Sequence, residues 1–407
     1  MSANKRILFL HPNCPGQFKQ LVRHLSALET TEVKFLCLTD YSSNIKGIEK
    51  LIIKGSRGQQ QLLAECTNEL DAMRFRAESY RRAFRNLDNQ GWRPDVVISH
   101  SGWGCGIHVK EIWPDCRFVA YMEWWFSSKS AIYESTKDNK FLNFNLTTQQ
   151  KLWVRNGYIS HELSTADKIV APSHWQREQL PAILKAGCDV VYDGIDFDFF
   201  EQRVTRLHSS PLVTYGTRGM EPMRCFKEFI KCLPHLMRSN PTIEVEIIGE
   251  DKICYGGNQP GKTETWGGWA KRYVTSAGLG NRVRFLGRLS YTSYREWLQR
   301  SWCHVYLTQP YVCSWSLLEA MACGTKIVAS DSPSVAEFCE SVDGIKLVDN
   351  NNLLEIVDSI RKSIDETTAM AHPGSAVARR DYLNRLSLQA SLKGWERVTG
   401  LDLNTRD

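Results

Sequence analysis

Apolar residues along this chain form short, nearly continuous runs, separated by longer segments in which they recur at helical spacing. The first run, 6–11, is typical of a strand buried in a parallel sheet, and helical spacing follows over 18–28. Four similar apolar runs follow, at residues 33–39, 95–99, 117–122 and 168–171. A long amphipathic helix is predicted between the first two of them, at residues 60–87. Alternation of strands and helices at this spacing predicts a doubly wound parallel sheet.

A second alternating series begins after residue 200. Its predicted strands are 212–215, 245–248, 283–286, 304–307, 326–329 and 345–348. The polar stretch 201–210, which ends in Ser-Ser-Pro, separates the two series and is predicted to be a linker. The sequence therefore predicts an α/β protein with two doubly wound domains.

The segment 306–324 combines a strand end, a loop of small polar residues and a short helix. Ser314 and Ser316 suit a helix N-cap, and Gly324 suits the left-handed residue after the helix. Such a junction presents free backbone N–H groups and the positive end of a helix dipole, which favours phosphate. Glu319, one turn further on, would reach a sugar hydroxyl. We interpret Ser314, Trp315, Ser316 and Glu319 as donor-binding residues; an ordinary strand–helix unit is the alternative.

The chain continues with a strand, a small-residue turn, a helix bearing Glu337 and an Asp-Gly turn before strand 345–348. This succession resembles the nucleotide-sugar site of glycosyltransferase family 4, the retaining group with the GT-B fold. The family pattern is Glu, seven residues, Glu, then Ala-Met-Ala-x-Gly. Glu319 takes the second position, which implies a ribose contact. Tyr311 takes the first, where the family's Glu grips a donor-sugar hydroxyl, so the effect of Tyr311 stays open.

The resemblance extends over nearly the whole chain, with 171–175 and 192–200 similar to the family's markers at the end of the first domain. It implies two Rossmann-like domains facing a central cleft. Residues 1–203 would form the acceptor-side domain and residues 204–385 the nucleotide-sugar domain. The segment 386–407, helical over about 386–398, would pack back on the first domain.

In this family, cationic side chains and helix N-termini neutralise the leaving diphosphate without a metal ion. The family pattern Gly-Arg-Leu-x-x-x-Lys-Gly, matched without gaps, places Arg224 at the Lys position and Gly219 at the Arg position. Arg218 lies one residue upstream. Arg224 and Arg218 are therefore the expected diphosphate ligands, and a solvated basic loop is the alternative. The Asp196-Phe-Asp198 sequence mimics a metal motif, but we interpret it as a structural entry to the linker.

Further donor-side residues lie where predicted strands end. Gly16 lacks a Cβ and would let the backbone approach the pyrophosphate or sugar, although a turn glycine is the alternative. Gly249, Gly287 and Arg288 follow two strands of the second series and are expected to line the nucleotide pocket.

On the acceptor side, Glu123 closes strand 117–122 at a position where many family members carry a His. The resemblance makes Glu123 the leading catalytic candidate, either orienting the acceptor hydroxyl or shielding oxocarbenium charge. His100 ends the preceding strand and is either catalytic or structural. Trp103, Trp124 and Trp125 would form flat walls for a sugar or a base, or else belong to the core.

Composition and charge indicate the general class of the protein but do not identify its binding partner. The chain has 407 residues, 24% of them charged, and a net charge of +6, which permits an anionic partner without requiring one. Its 13 cysteines show no Cys-x-x-Cys pair, which indicates reduced thiols. With no signal-peptide pattern at the N-terminus and no apolar run of about 20 residues, we expect a cytoplasmic protein, either free or peripheral to a membrane.

The sequence thus predicts a metal-independent, retaining glycosyltransferase without a cofactor, using a UDP- or GDP-sugar and a hydroxyl acceptor on a glycan, glycolipid or small molecule. Two alternatives remain open. Arg74, Arg81 and Arg85 recur near helical spacing, as in an enzyme that glycosylates a hydroxylated nucleic-acid base, or on a solvated basic face. Tyr311 alone suggests an inactive GT-B binding module. The sequence names neither the donor sugar, the acceptor nor the oligomeric state.

Overall fold

The two predicted series of strands form two separate parallel sheets. The structure is a computed structural model, and it describes residues 4–39, 45–53, 64–66, 68–127, 129–142, 144–201, 209–238, 240–340, 342–369 and 383–403. The prediction of two doubly wound parallel sheets is confirmed.

The chain divides into two compact units. The first unit consists of Met1–Ser128, Leu146–Gly194 and Leu386–Asp407; the second consists of Lys129–Asn145 and Ile195–Arg385. The second unit therefore includes a segment, 129–145, that is flanked in sequence by parts of the first. The predicted boundary between residues 203 and 204 lies outside the described residues, as does most of the predicted linker.

The sheet of the first unit has seven strands in the order β3-β2-β1-β4-β5-β6-β7. They are β1 Lys5–Leu10, β2 Thr31–Cys37, β3 Ile48–Ile52, β4 Val96–His100, β5 Arg117–Tyr121, β6 Lys168–Ala171 and β7 Cys188–Val190. In register, Phe9 lies opposite Ile98, and His100 lies opposite Tyr121. The carboxyl ends of β1, β4 and β5 are therefore neighbours, which brings the residues that follow them together.

Helices accompany this sheet, and all but Leu146–Val154 and Ala182–Lys185 contain buried residues. They are α1 Lys19–Leu25, α2 Glu69–Asn89, α3 Val109–Ile112, α5 Leu146–Val154, α6 Asn156–Thr165, α7 His174–Glu178, α8 Ala182–Lys185 and α16 Leu388–Thr399. The helix predicted over 60–87 is not continuous: residues 64–65 are helical, residue 66 is not, and α2 begins at Glu69, where the Asn68 side chain caps it by accepting from the Asp71 N–H. Residues 60–63 and 67 of that prediction lie outside the described residues. Trp395 and Val398 of α16 are buried in the same apolar cluster as Ile7 and Phe9 of β1.

The sheet of the second unit has six strands in the order β10-β9-β8-β11-β12-β13. They are β8 Leu212–Gly219, β9 Glu244–Glu250, β10 Val283–Gly287, β11 Cys303–Tyr306, β12 Ile327–Ser330 and β13 Ile345–Val348. The helices of this unit are α4 Ala131–Thr136, α9 Phe197–Phe200, α10 Phe226–Arg238, α11 Trp266–Ser276, α12 Tyr291–Arg300, α13 Trp315–Ala322, α14 Pro333–Cys339 and α15 Leu353–Ala369. Strand β8 lies between β9 and β11, so the loops after these three strands are adjacent.

Two strands of the first sheet were not predicted. Strand β3 lies at one edge and is only partly buried, so it lacks the continuous apolar run of a central strand. Strand β7, at the other edge, has three residues and too little sequence for a pattern. All 13 cysteines are free, and ten of them are buried.

Candidate active site

The predicted phosphate site begins with the capped start of helix α13. Ser314 is the N-cap, and its side chain accepts a hydrogen bond from the Ser316 N–H at 3.4 Å. Of the two serines that suit an N-cap, Ser314 takes that position, and Ser316 lies inside the first turn of α13. The Ser314 N–H donates to the Tyr306 hydroxyl at 2.7 Å, which ties the helix start to the end of β11. Gly324, with φ of 74°, follows the helix in the left-handed conformation.

Arg224 contacts the residues that connect β11 to the start of α13. It ends the short 3-10 helix Pro222–Arg224 and is 7% exposed. Its Nη1 donates to Thr308 Oγ1 at 2.8 Å, and the Tyr306 hydroxyl and the Val312 carbonyl lie 3.4 and 3.5 Å from it. The guanidinium carbon lies 4.6 Å from the centre of the Tyr255 ring.

The charge of Arg224 is not matched by a paired carboxylate. Among the ion pairs of the described residues, none includes Arg224, although the buried Glu221 interacts with it electrostatically. Burial opposes the charge, but the acidic groups of Tyr306, Tyr255 and Glu221 raise the pKa of Arg224 above its ordinary value. A buried guanidinium held by hydroxyl and carbonyl groups retains the capacity to bind an anion.

Glu319 lies in the second turn of α13 and is 5% exposed. Its Oε1 accepts a hydrogen bond from the Tyr291 hydroxyl at 2.6 Å. The Tyr291 ring stacks on Phe199, with centres 5.0 Å apart and an interplanar angle of 10°. The carboxylate is thus held by a tyrosine at the start of α12, and its predicted contact with ribose stays a prediction.

Arg218 lies near the carboxyl end of β8, and Arg288 directly follows β10, so both belong to the same edge of the second sheet. Both are exposed and both interact electrostatically with Glu250, which also pairs with Lys252 at 2.9 Å. With the neighbouring Asp251 included, the three cations still exceed the two carboxylates, so this edge carries a small net positive charge. Such a field favours the approach of a phosphate group.

The surroundings of Gly249 and Gly287, two predicted donor-site residues, differ in whether they leave room for a side chain. At Gly249 φ is 138°, and an added Cβ would lie 2.4 Å from the Thr217 carbonyl oxygen, so the close approach of β8 requires the missing side chain. At Gly287 φ is 68°, but an added Cβ would meet open space. Gly249 therefore has a structural reason, and the nucleotide contacts of Gly249 and Gly287 both stay predictions.

Tyr311, which replaces the family's first Glu, lies beside an apolar cluster. It packs with Phe144 against a small buried group that includes Tyr133, Leu142 and Met223. The segment 129–145 thus supplies much of the surroundings of Tyr311. At this position the chain presents an aromatic ring where the family pattern has a carboxylate.

In the first unit, Glu123 lies just after β5 and is bound by side chains from three other elements. Its Oε1 accepts from Gln17 Nε2 at 2.9 Å, and its Oε2 lies 3.2 Å from His100 Nε2. The Glu123 carbonyl accepts from Gln176 Nε2 at 2.7 Å. Its side chain is 27% exposed, so the carboxylate is oriented yet still accessible.

His100 acts as a donor to Glu123. The Gly102 N–H donates to His100 Nδ1 at 3.2 Å, so in the neutral ring the proton lies on Nε2, facing Glu123 Oε2. Burial opposes ionisation of Glu123, but the hydrogen bonds from His100 and Gln17 outweigh it and lower its pKa below the ordinary value. Glu123 is therefore a carboxylate at neutral pH, suited to stabilising positive charge or orienting a hydroxyl.

His11 belongs to the same cluster and was missed at the sequence level. It follows β1, is 4% exposed, and its ring centre lies 5.1 Å from that of His100. Burial, reinforced by the proximity of His100, lowers the pKa of His11 to about 3, so the ring is neutral. The available signal was the position of His11 directly after the central strand β1, next to the end of β4 where His100 lies.

Gly16 packs directly on this histidine. Its φ is 54°, and an added Cβ would lie 2.8 Å from the His11 ring. The structural reason for Gly16 is therefore the contact with His11, and close approach of a ligand to its backbone stays a prediction.

The three predicted tryptophans differ in burial. Trp124 is 6% exposed, and Trp125 packs partly buried against the core of the first unit. Trp103 packs against the same core but also lies beside the site: its ring centre is 6.3 Å from that of His100, and Arg76 and Arg155 lie over its ring. Trp103 is therefore the most suitably placed of the three for contact with a ligand at the Glu123 cluster.

The arginines proposed for nucleic-acid binding have acidic neighbours. Arg81 forms an ion pair with Glu111, which Arg85 also approaches at 3.8 Å, and Arg74 lies 4.0 Å from Asp71. These carboxylates offset the positive charge locally, so α2 does not present a continuous basic stripe.

Asp196 has a structural role in the described geometry. Its Oδ1 accepts from the Phe199 N–H at 3.1 Å and so caps α9. Across the described ranges, no three His, Cys, Asp or Glu residues are grouped so as to hold a metal ion. Within those same ranges, every helix is too short or too polar to cross a membrane.

Two family models match the chain, one in each part. The model described as Glycosyl transferase family 4 group matches residues 29–200, and Glycosyl transferases group 1 matches residues 204–379. No curated protein shows significant sequence similarity to the chain.

Three solved structures illustrate the fold similarity. HepE from Anabaena, in complex with UDP, has a TM-score of 0.67 at 14% identity, with 98% of this chain and 100% of HepE covered. Sucrose-phosphate synthase from Thermosynechococcus elongatus has a TM-score of 0.72 at 14% identity, with 97% and 98% covered. The N-terminal domain of Candida albicans trehalose-6-phosphate phosphatase has a TM-score of 0.70 at 11% identity, with 98% and 97% covered. At such identities the similarity establishes the fold alone.

The family models cover both parts of the chain, and the two parallel sheets and the structural neighbours agree with them. The chain therefore belongs to the family 4 type of glycosyltransferases and has the GT-B fold.

Proposed function

We propose that the protein is a metal-independent, retaining glycosyltransferase that moves a sugar from a UDP- or GDP-sugar to an acceptor hydroxyl. The main supporting observation is Arg224, a buried guanidinium that no carboxylate of the described residues pairs with, next to the capped start of α13. Structures of HepE hold UDP, UDP with glucose, and UDP-glucose, which supports a UDP-sugar as the first donor to test.

In this proposal the second unit holds the donor. Arg224 and the more exposed Arg218 and Arg288 bind and neutralise the diphosphate, and α13 adds the positive end of its dipole. Glu319 binds the ribose, exchanging the Tyr291 hydroxyl for a ribose hydroxyl. Gly249 and Gly287 border the nucleotide, while Ser314, Trp315 and Ser316 line the phosphate and sugar.

The reaction exchanges one C–O bond for another. The bond between the anomeric carbon and the diphosphate oxygen breaks, and its electron pair leaves with the diphosphate. The acceptor oxygen bonds to the same face of that carbon, and its proton passes to the leaving phosphate oxygen. The protein's contribution is to position the reactants and stabilise charge, rather than to supply a strong base.

The first unit supplies the acceptor side. Glu123, an oriented carboxylate at the carboxyl end of β5, would stabilise positive charge at the anomeric carbon or orient the acceptor hydroxyl. His100 and Gln17 act as positioning residues because they hold its two oxygens. Trp103 offers an aromatic face beside this cluster, which suits a sugar ring.

Release of nucleoside diphosphate from a panel of UDP- and GDP-sugars, with and without simple sugar acceptors, tests the proposal. We expect release from at least one donor in EDTA, and NMR should show that the product retains the donor's anomeric configuration. Binding of a donor with neither hydrolysis nor transfer would indicate the inactive module. Loss of activity in EDTA with rescue by magnesium would contradict metal independence, and an inverted product would contradict retention.

A further inference from the structure

A buried carboxylate, that of Glu221, holds the loop 254–258 of the second unit. The proposed reaction does not use this carboxylate. Glu221 lies just after β8 and is 0% exposed. Its Oε2 accepts hydrogen bonds from the backbone N–H groups of Cys254, Tyr255 and Gly256, at 2.7, 2.8 and 3.2 Å. One oxygen thus fixes three consecutive peptide groups.

The far end of the same loop is anchored from the segment 129–145. The Asn258 N–H donates to the Phe141 carbonyl at 2.7 Å. Gly257 lies between, with φ of 103°, and a Cβ on it would approach that carbonyl to 2.9 Å. The amides of residues 254, 255, 256 and 258 are therefore committed to the protein and do not face a ligand.

A loop whose amides face inward cannot bind phosphate through a row of N–H groups, unlike a glycine-rich nest. It presents the side chain of Tyr255, which is 42% exposed and whose ring lies 4.6 Å from the Arg224 guanidinium. Stacking on an aromatic ring limits the orientations of the guanidinium plane, and it leaves the N–H groups in that plane able to donate hydrogen bonds.

We propose that Glu221 is a positioning residue for the diphosphate of the donor, acting through the 254–256 turn and Tyr255 on Arg224. The inference deepens the proposed function and rests on it. Arg224 is held by Thr308 on one side and by the Tyr255 ring on the other. Glu221 and the Phe141 carbonyl anchor the backbone that carries this ring, whose hydroxyl also interacts with Arg218.

The chemistry of Glu221 fits this role. A buried carboxylate is costly unless hydrogen bonds compensate for lost hydration. Three N–H donors to one oxygen offset part of this cost, although burial still raises the pKa of Glu221 above its ordinary value. Its other oxygen, Oε1, is buried without a hydrogen-bond partner. A carboxylate also interacts favourably with Arg224, so its charge contributes to holding the guanidinium before the anionic donor arrives.

The substitution Glu221→Gln keeps the size of the side chain and one carbonyl acceptor but removes the charge. We expect it to weaken UDP binding about tenfold, which is the lower end of the loss in affinity seen when a residue that orients a ligand-binding group is replaced. Amide hydrogen exchange at residues 254–256 should become faster. The double variant with Arg224→Ala should bind UDP no more weakly than Arg224→Ala alone, because Glu221 acts through Arg224.

The matched control is Glu246→Gln, a buried carboxylate of β9 that contacts Arg284 and Arg300. It should leave UDP binding unchanged. Tyr255→Leu, at an exposed position, is a second variant that does not threaten folding and should also weaken UDP binding. Binding is measured by calorimetry on the full chain, with GDP in parallel.

Unchanged UDP affinity in Glu221→Gln, or additive losses in the double variant, would overturn the role of Glu221 while the proposed function stood. Unchanged affinity in Tyr255→Leu would overturn the route through the ring. If the wild type binds neither UDP nor GDP, the proposed function itself fails and the role of Glu221 falls with it.

Discussion

Glu123 is the residue on which the acceptor side of the account depends. His100 and Gln17 donate to its two oxygens and keep it ionised, so replacing the carboxylate by an amide removes charge without changing shape. We expect Glu123→Gln to lower transfer about 10²-fold, the usual cost of removing one electrostatic contact to a transition state, with donor affinity little changed.

Steady-state kinetics and calorimetric donor binding check this prediction together. Glu29→Gln, on an exposed loop of the same unit, is the control and should behave as wild type. Equal losses in donor binding and turnover would mark Glu123 as a donor ligand instead, and no loss in either would leave the cluster with a purely structural role.

Glu162 gives the first unit a pH-dependent stability. Its Oε1 accepts from Ser99 Oγ at 2.5 Å, its Oε2 is buried without a partner, and burial raises its pKa to about 7. Between about pH 4.5 and 7, the native protein therefore holds a proton that the unfolded chain has released, so this residue's contribution to stability falls as pH rises.

Glu162→Gln removes that titration. The wild type should lose about 2–3 kcal/mol of stability between pH 5 and pH 8 that the variant does not lose, since one pKa unit corresponds to 1.36 kcal/mol. The variant's unfolding free energy minus that of the wild type should therefore be about 2–3 kcal/mol larger at pH 8 than at pH 5. Urea denaturation at the two pH values measures it. A difference between variant and wild type that does not change with pH would contradict the buried, proton-holding state.

Strand β9 offers a test at the level of elements. An alanine at Gly249 would place its Cβ 2.4 Å from the Thr217 carbonyl oxygen with φ at 138°. We expect Gly249→Ala to reduce the unfolding free energy by about 1–3 kcal/mol through backbone strain. Gly261→Ala, whose added Cβ would first meet Glu264 at an ordinary 3.6 Å, should cause no comparable loss in the same denaturation experiment. Similar effects of the two substitutions would argue against the close approach of β8 and β9.

Strands were predictable from sequence where apolar residues dominate a short run. The strand β6 and the edge strand β13 have the predicted bounds, and the other predicted strands begin and end within a few residues of the observed ones. The edge strands β3 and β7 escaped prediction because one is half-exposed and the other has three residues. The break just before α2 was missed because the hydrophobic period extended past the capping residue Asn68.

The candidate site was predictable only where chain position implied a role. Glu123 and His100 follow adjacent central strands, so their meeting could be anticipated from strand order. Glu221 could not be recognised, because its partners are amides 33 to 35 residues away and its sequence context is an ordinary loop.

At the scale of the whole molecule, the assignment of 129–145 to the second unit was invisible in the sequence. The segment interrupts the first unit's alternation of strands and helices, and its Phe141 carbonyl contacts Asn258 more than a hundred positions later. Such long-range pairings depend on the folded chain, while periodicity reports only local structure.

The measurement that tests the central claim most directly is calorimetric binding of UDP and GDP, in EDTA, to the wild type, Arg224→Ala and the control Arg238→Ala. Arg238 is an exposed residue at the end of α10. The account predicts that the wild type and Arg238→Ala bind at least one nucleotide equally, and that Arg224→Ala binds it about 10²-fold more weakly. Equal binding by all three proteins, or no binding by the wild type, would contradict the assignment of Arg224 as the diphosphate ligand.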